Sequence, residues 1–249
     1  MPARKIIGFL ILALLAGVRG FAQFDESPKR HYKFQLMGFG LISSYSNDER
    51  ITANTHAGMG AGAGFRIELP VSRDHKDKDL RFCIGAEIKS QGLSFDSYYF
   101  ATGYSVLFDG NLNYNHSIRI TEVCLPLLIR YSFSKKEDSR RNYVYATAGW
   151  ELNYTVQAHT TITSNTDGSL IYDGPIDLPY EHHFLGPNEG NDIVVGLGLN
   201  HNFLPGTHSV VYDLSYHYGL SRNIYTGDIN TNNVLFKGSN FSFGIGIRF

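Results

Sequence analysis

The chain has 249 residues, with 22 basic and 23 acidic side chains, a formal charge of −1 and 18% charged residues, below the roughly 25% of ordinary globular domains. Aromatics reach 14% and glycines number 26, yet hydrophobic residues are only 43% and mean hydropathy is −0.18. These figures exclude a bundle of transmembrane helices and a disordered chain; two cysteines exclude a disulfide framework or zinc ribbon, and the charge gives no reason to expect nucleic acid.

Arg4 and Lys5 precede an apolar run, Ile6 to Val18, and small residues at Gly20 and Ala22 frame a cleavage site before Gln23. This is the pattern of a secretory signal peptide, residues 1–22. The run is too short to span a bilayer, and no cysteine follows it to carry a lipid. The mature chain, 23–249, then reads as one domain with 19 basic and 23 acidic residues and a charge of −4.

Apolar and polar residues alternate with a period of two in eight segments: 32–43, 55–69, 80–89, 123–133, 142–156, 191–203, 207–220 and 240–249. In 32–43 the parity is mixed, Tyr32, Phe34 and Leu36 against Phe39 and Leu41, and a bulge near Gly38 would reconcile them. In 55–69, Met59, Ala61, Ala63, Phe65 and Ile67 oppose His56, Arg66, Glu68 and four glycines. Ile118 and Ile120 are out of phase with Val123, which suggests a second bulge at Thr121–Glu122. In the last segment Phe241, Phe243, Ile245, Ile247 and Phe249 oppose Asn240, Ser242, Gly244, Gly246 and Arg248.

The connectors 44–54, 96–116, 157–189 and 221–237 are long; 70–79, 134–141 and 204–206 are short. That alternation fits an up-and-down barrel with extracellular loops on one rim, periplasmic turns and both mature ends on the other. One face carries almost no charge; the other carries Arg66, Glu68, Arg81, Glu87, Lys89, Arg130, Glu151, Asp213, His217 and Arg248 among many glycines. Glycine suits a crowded interior better than a solvated surface, so the polar face is read as the lumen and the apolar face as the lipid side. Outward aromatics such as Tyr131, Phe133, Tyr154, Tyr218 and Phe249 suit interfacial girdles. The expectation is all-β: an eight-stranded antiparallel transmembrane β-barrel whose polar, side-chain-filled lumen is a paired charge network.

The segment Glu122-Val-Cys-Leu-Pro126-Leu-Leu-Ile-Arg130-Tyr131-Ser-Phe133, the charged turn after it and Asn142-Tyr143-Val144-Tyr145-Ala146 with Gly149 resemble the strands of the PorT-like outer-membrane β-barrel proteins of Bacteroidetes. The acid is separated from Pro126 by three residues, where one or two is usual in that family. The terminal Phe249 resembles the carboxy-terminal signal read by the barrel-assembly machinery. The resemblance implies an outer-membrane location, outer-membrane lipid and the assembly machinery as partners, and for some members a place in type IX protein secretion.

Other chemistry is weaker. Asp213 and His217 lie four apart on one strand, about 13 Å, with Ser215 between them, which fixes no triad. His182-His183, with His159 and Glu181, form no ready metal pair, because adjacent side chains diverge in extended chain. Pairing Leu80 with Phe133 would set Cys83 against Arg130, away from Cys124, so no disulfide is expected. The alternating glycines 58–64 lack the Lys-Ser/Thr of a phosphate loop. The expected role is non-enzymatic, structural or binding, without a cofactor, through loops or turns facing secretion or envelope proteins. A small channel and a lipid-modifying enzyme are the alternatives.

Overall fold

A computed structural model of the chain describes residues 32–47, 55–71, 80–97, 99–102, 105–108, 114–133, 142–175, 189–202, 208–221 and 236–249. The expected signal segment and the pair His182–His183 lie outside them. Twelve strands are described: β1 (Lys33–Asn47), β2 (Thr55–His56), β3 (Gly58–Pro70), β4 (Leu80–Ser97), β5 (Tyr99–Thr102), β6 (Ser105–Phe108), β7 (Tyr114–Ser132), β8 (Tyr143–Ser164), β9 (Leu170–Pro175), β10 (Glu189–Asn202), β11 (Ser209–Ser221) and β12 (Phe236–Arg248).

Eight of them form a closed antiparallel ring in the order β1, β3, β4, β7, β8, β10, β11, β12. The ring closes where β12 pairs β1 (Ile247 with Leu36) and where β8 pairs β10 (Glu151 with Asp192). The expected eight-stranded barrel is the observed one. Closure leaves no ladder edge in the ring, as an apolar surrounding requires of a sheet. β2 adds to β4, β9 adds to β8, and β5 and β6 form a hairpin of their own. The start of β1 and the end of β12 lie together, Gln35 opposite Arg248, on the rim of the three short connections.

Side-chain direction follows the period of two. On β12, Phe241, Phe243, Ile245 and Ile247 are exposed, as is Phe249 just after it, while Asn240, Ser242 and Arg248 are buried. The glycines of the inner face stand where there is no volume for a side chain. A Cβ at Gly64 would lie 2.6 Å from Cγ of Glu87, and one at Gly198 would overlap the ring of Tyr145.

Four expectations need correction. β1 has no bulge at Gly38, since its register with both neighbours runs unbroken. The middle of its inner face, between buried Gln35 and Ser43, is itself apolar: Met37, Phe39 and Leu41 pack together inside the barrel. Parity was mixed because this strand carries apolar residues on both faces.

The register shift at Thr121/Glu122 is present, but the extra residue sits across the ladder. Thr121 faces Gln157 and Glu122 faces Thr155, so β8 bulges at Val156 while β7 keeps its phase. Ile118 and Ile120 therefore point inward with Glu122 and Cys124, and all four are buried.

Leu80 pairs with Tyr131 and not with Phe133. This register places Lys89 opposite Glu122, an opposite-charge pair that the alternative would have set against Cys124. Cys83 then faces Leu128, Cys124 faces Glu87, and both thiols are free.

Finally, strands reach into the expected long loops. β4 runs to Ser97, β7 begins at Tyr114 and β8 runs to Ser164 before turning into β9. The turn is built by Asp167-Gly168: Gly168 has φ +71° and donates its N–H to the Ser164 carbonyl at 2.9 Å, and the Ser169 N–H donates to Oδ1 of Asp167 at 3.0 Å.

Candidate functional site

The ten lumen residues named from the sequence are all buried, none more than 6% exposed. They fall into two groups along the barrel.

Near the short-connection rim, Glu68 on β3 is the hub. Its carboxylate accepts from Arg248 Nη2 at 2.6 Å, from Arg130 and from the Gln35 amide, and Arg81 Nε lies 3.8 Å away. Pairing explains the convergence: Arg81 stands opposite Arg130, and Gln35 opposite both Arg248 and Arg66. Arg130 stacks on the ring of Tyr145, 3.3 Å from its centre, and Arg248 donates to the hydroxyl of Tyr143 and to Asn200 Oδ1 at 3.3 Å. Three buried guanidiniums share one carboxylate and two tyrosine rings.

Deeper in the barrel the carboxylates dominate. Arg66 donates to Glu87 (2.7 Å) and to Asp213 on non-adjacent β11 (2.8 Å). Lys89 donates to Glu151 on β8 (2.6 Å) and lies 3.0 Å from Glu87. His217 Nδ1 is 3.3 Å from Oε1 of Glu151, and its Nε2 is 2.9 Å from Oγ of Ser215, which in turn meets Oγ of Ser242 at 2.6 Å. Gln91 donates to Glu122 at 2.6 Å and accepts from Ser43 at 3.1 Å. Asp213 and His217 thus serve different partners. In a low-dielectric interior, charges joined across the bore stabilise each other only as a set, and removal of one member strands the rest.

Sequence reasoning missed Asp192, buried and directly opposite Glu151, although the parity of its strand sends it to the lumen. It also missed Gln35 and Gln91, which carry no charge to mark them.

Ser215, His217 and Glu151 form a Ser–His–carboxylate chain by distance. Ser215 is 5% exposed, however, and its strand is paired on both sides, Ser215 with Gly196 and with Ser242. Backbone N–H groups engaged in two ladders do not form an oxyanion hole for an acyl transfer.

At the opposite end a small exposed cluster pins the extended strands. Asp96 accepts from Asn115 (3.0 Å) and Asn165 (3.2 Å) and meets His56 at 3.2 Å. The Asn115 hydrogen bond, with those from Asn165 and His56, holds the Asp96 carboxyl below its ordinary pKa. His159 lies on β8, 3.7 Å from Asp173 of β9.

The outer surface is the counterpart of the lumen. Leu197, Phe243, Trp150, Leu214 and Ile129 are all more than half exposed at barrel level. Tyr131, Phe133 and Phe249 stand at the short-connection rim, and Tyr154 and Tyr218 toward the other.

No family model matches the chain, and no curated protein matches it. Among solved structures it is similar to Ail, the attachment invasion locus protein of Yersinia pestis, at 12% identity over 89% of this chain and 100% of that one, with a TM-score of 0.34. It is also similar to the N-terminal β-barrel domain of Pseudomonas aeruginosa OprF (12% identity, 89% and 100% covered, TM-score 0.32). A third is the outer membrane protease OmpT of Escherichia coli (11% identity, 90% and 99% covered, TM-score 0.40). Barrel closure itself is established by the strand pairing of this chain.

Proposed function

We propose that the chain is a bacterial outer-membrane β-barrel of non-enzymatic role, with a sealed lumen and a binding surface on the strands and loops that project from the rim of the long connections. The observation that carries this reading is the inversion of an ordinary fold: exposed Leu, Ile, Phe and Trp outside, buried Arg, Lys and Glu inside. A soluble barrel would bury the first set and hydrate the second. In this reading the short connections and both mature termini face the periplasm, the long connections face the medium, residues 1–22 are cleaved on export, and Phe249 is read by the assembly machinery. The strand Glu122–Phe133 is what links the chain to PorT-like proteins, and service beside type IX secretion is the partner role that link suggests.

Cross-bore pairs such as Arg66–Asp213 and Lys89–Glu151 favour a plugged barrel over a channel. The purified chain folded in detergent is expected to show a heat-dependent gel shift and to give no stepwise conductance in planar bilayers. Reproducible steps would replace this reading with the channel. A deletion strain that exports type IX cargo normally would remove the secretion role while leaving the barrel.

A further inference from the structure

We propose that the lumen holds a divalent transition-metal ion, Zn²⁺ or a close analogue, between Glu151, Asp192 and His217. One ligand atom from each of the three lies within 4.8 Å of the others, and each residue is 1% exposed. Strand pairing brings them together: Glu151 of β8 stands directly opposite Asp192 of β10, and His217 of β11 lies one rung along, opposite Val194.

Glu151 and Asp192, register partners in a buried ladder, offer a cation carboxylate oxygens from two strands beyond the one that Lys89 already holds. Moreover, Nδ1 of His217 makes no hydrogen bond among the described residues, although it is buried and 3.3 Å from Oε1 of Glu151. That separation is close to the roughly 3.4 Å between two ligands of a tetrahedral ion with bonds of about 2.0–2.1 Å. The other ring nitrogen lies 2.9 Å from Oγ of Ser215, which can accept its N–H and so orient the ring as outer acceptors do for metal-binding imidazoles. Lys89 takes the second oxygen of Glu151, Oε2, and so leaves Oε1 for the ion while balancing Glu87. One imidazole with two carboxylates is a donor set suited to Zn²⁺. The site has no open side, so the ion would enter as the barrel closes.

The test refolds the urea-denatured full chain into detergent with EDTA or with Zn²⁺, removes free metal by gel filtration and measures zinc by atomic emission. Wild type folded with Zn²⁺ is expected to retain one ion per chain. Asp192→Asn and His217→Ala should each reduce occupancy at least tenfold at the same free Zn²⁺, and Ser215→Ala, a positioning change, by about tenfold. Replacing His182 and His183 by alanine should leave it unchanged. The gel shift reports folding of each variant; if His217→Ala fails to fold, the isosteric Asp192→Asn decides alone. Absence of retained zinc in folded wild type, retention undiminished in the folded ligand variants, or loss on removing the His182–His183 pair would overturn the proposal.

Discussion

The same three strands, β4, β7 and β8, are built one way below the level of Thr121 and the opposite way above it. Below it, Ile84, Ile88, Leu125, Ile129, Trp150 and Leu152 are exposed on the outside, while Arg81, Glu87, Lys89, Arg130 and Glu151 are buried. Above it, Ser117 and Arg119 are exposed, while Leu93, Phe95, Ile118, Ile120, Ala158 and Ile162 are buried. Phe95 stacks on His116 at 4.7 Å, and Tyr114 packs with Ile162 against Ile171 and Tyr172 of β9. The lower part has the polarity of a barrel in lipid and the upper part that of a sheet in water. The inversion happens without a phase change in β4 or β7, whose register is continuous, and with a single bulge in β8 at Val156. The edge of the apolar surroundings is thus written in side-chain type and not in backbone geometry.

The largest expected effect lies in the lumen. Glu68→Ala leaves Arg81, Arg130 and Arg248 around a missing carboxylate and should cost about 3–5 kcal/mol of folding free energy in urea titrations in vesicles. A loss under about 1 kcal/mol would mean that the arginines are hydrated and the lumen is open.

Next is a charge on the outer face. Leu197→Arg should cost about 2–4 kcal/mol in vesicles if Leu197 faces the bilayer interior. Ser117→Arg, outward but above the bulge, should stay within about 0.5 kcal/mol. Equal costs at the two positions would erase the comparison.

Ile118→Val tests the upper core. Deleting one buried methyl should cost about 1 kcal/mol, seen as faster amide exchange confined to β4, β7 and β8 above Thr121. Unchanged exchange there would mean that the apolar inner face of the extension is not packed.

The smallest effect concerns Asp96. Its carboxyl is held low by Asn115, Asn165 and His56, so its contribution is complete above the ordinary carboxylate pKa of about 3.9 and lost as pH falls through the lower folded value. The side-chain amide signals of Asn115 and Asn165 should shift through that acid transition, and Asp96→Asn should abolish the shift.

Much of the barrel was legible because alternation is strict where the outer face is apolar and the inner face polar or small, as on β12. Legibility failed where that contrast fails. Met37, Phe39 and Leu41 fill bore volume that a polar side chain would need partners to occupy, and so imitate a bulge. Ile118 and Ile120 imitate another because on this part of β7 the buried face is apolar while Ser117 and Arg119 are exposed. The β8–β9 hairpin did carry a local signal, Asp167-Gly168, whose turn chemistry was masked by the polar run around it. The lumen charges were legible as a set, but their pairing depends on register: a shift of two residues decides whether Lys89 meets Glu122 or Cys124.

The single tryptophan offers the most direct test of the central claim, that the apolar outer face meets acyl chains. Trp150 is 59% exposed on that face, opposite Leu127 and Ile193. With the chain folded into vesicles, lipids brominated on their acyl chains should quench Trp150 fluorescence, while aqueous iodide should not. Quenching by iodide with no effect of the brominated lipids would contradict the account.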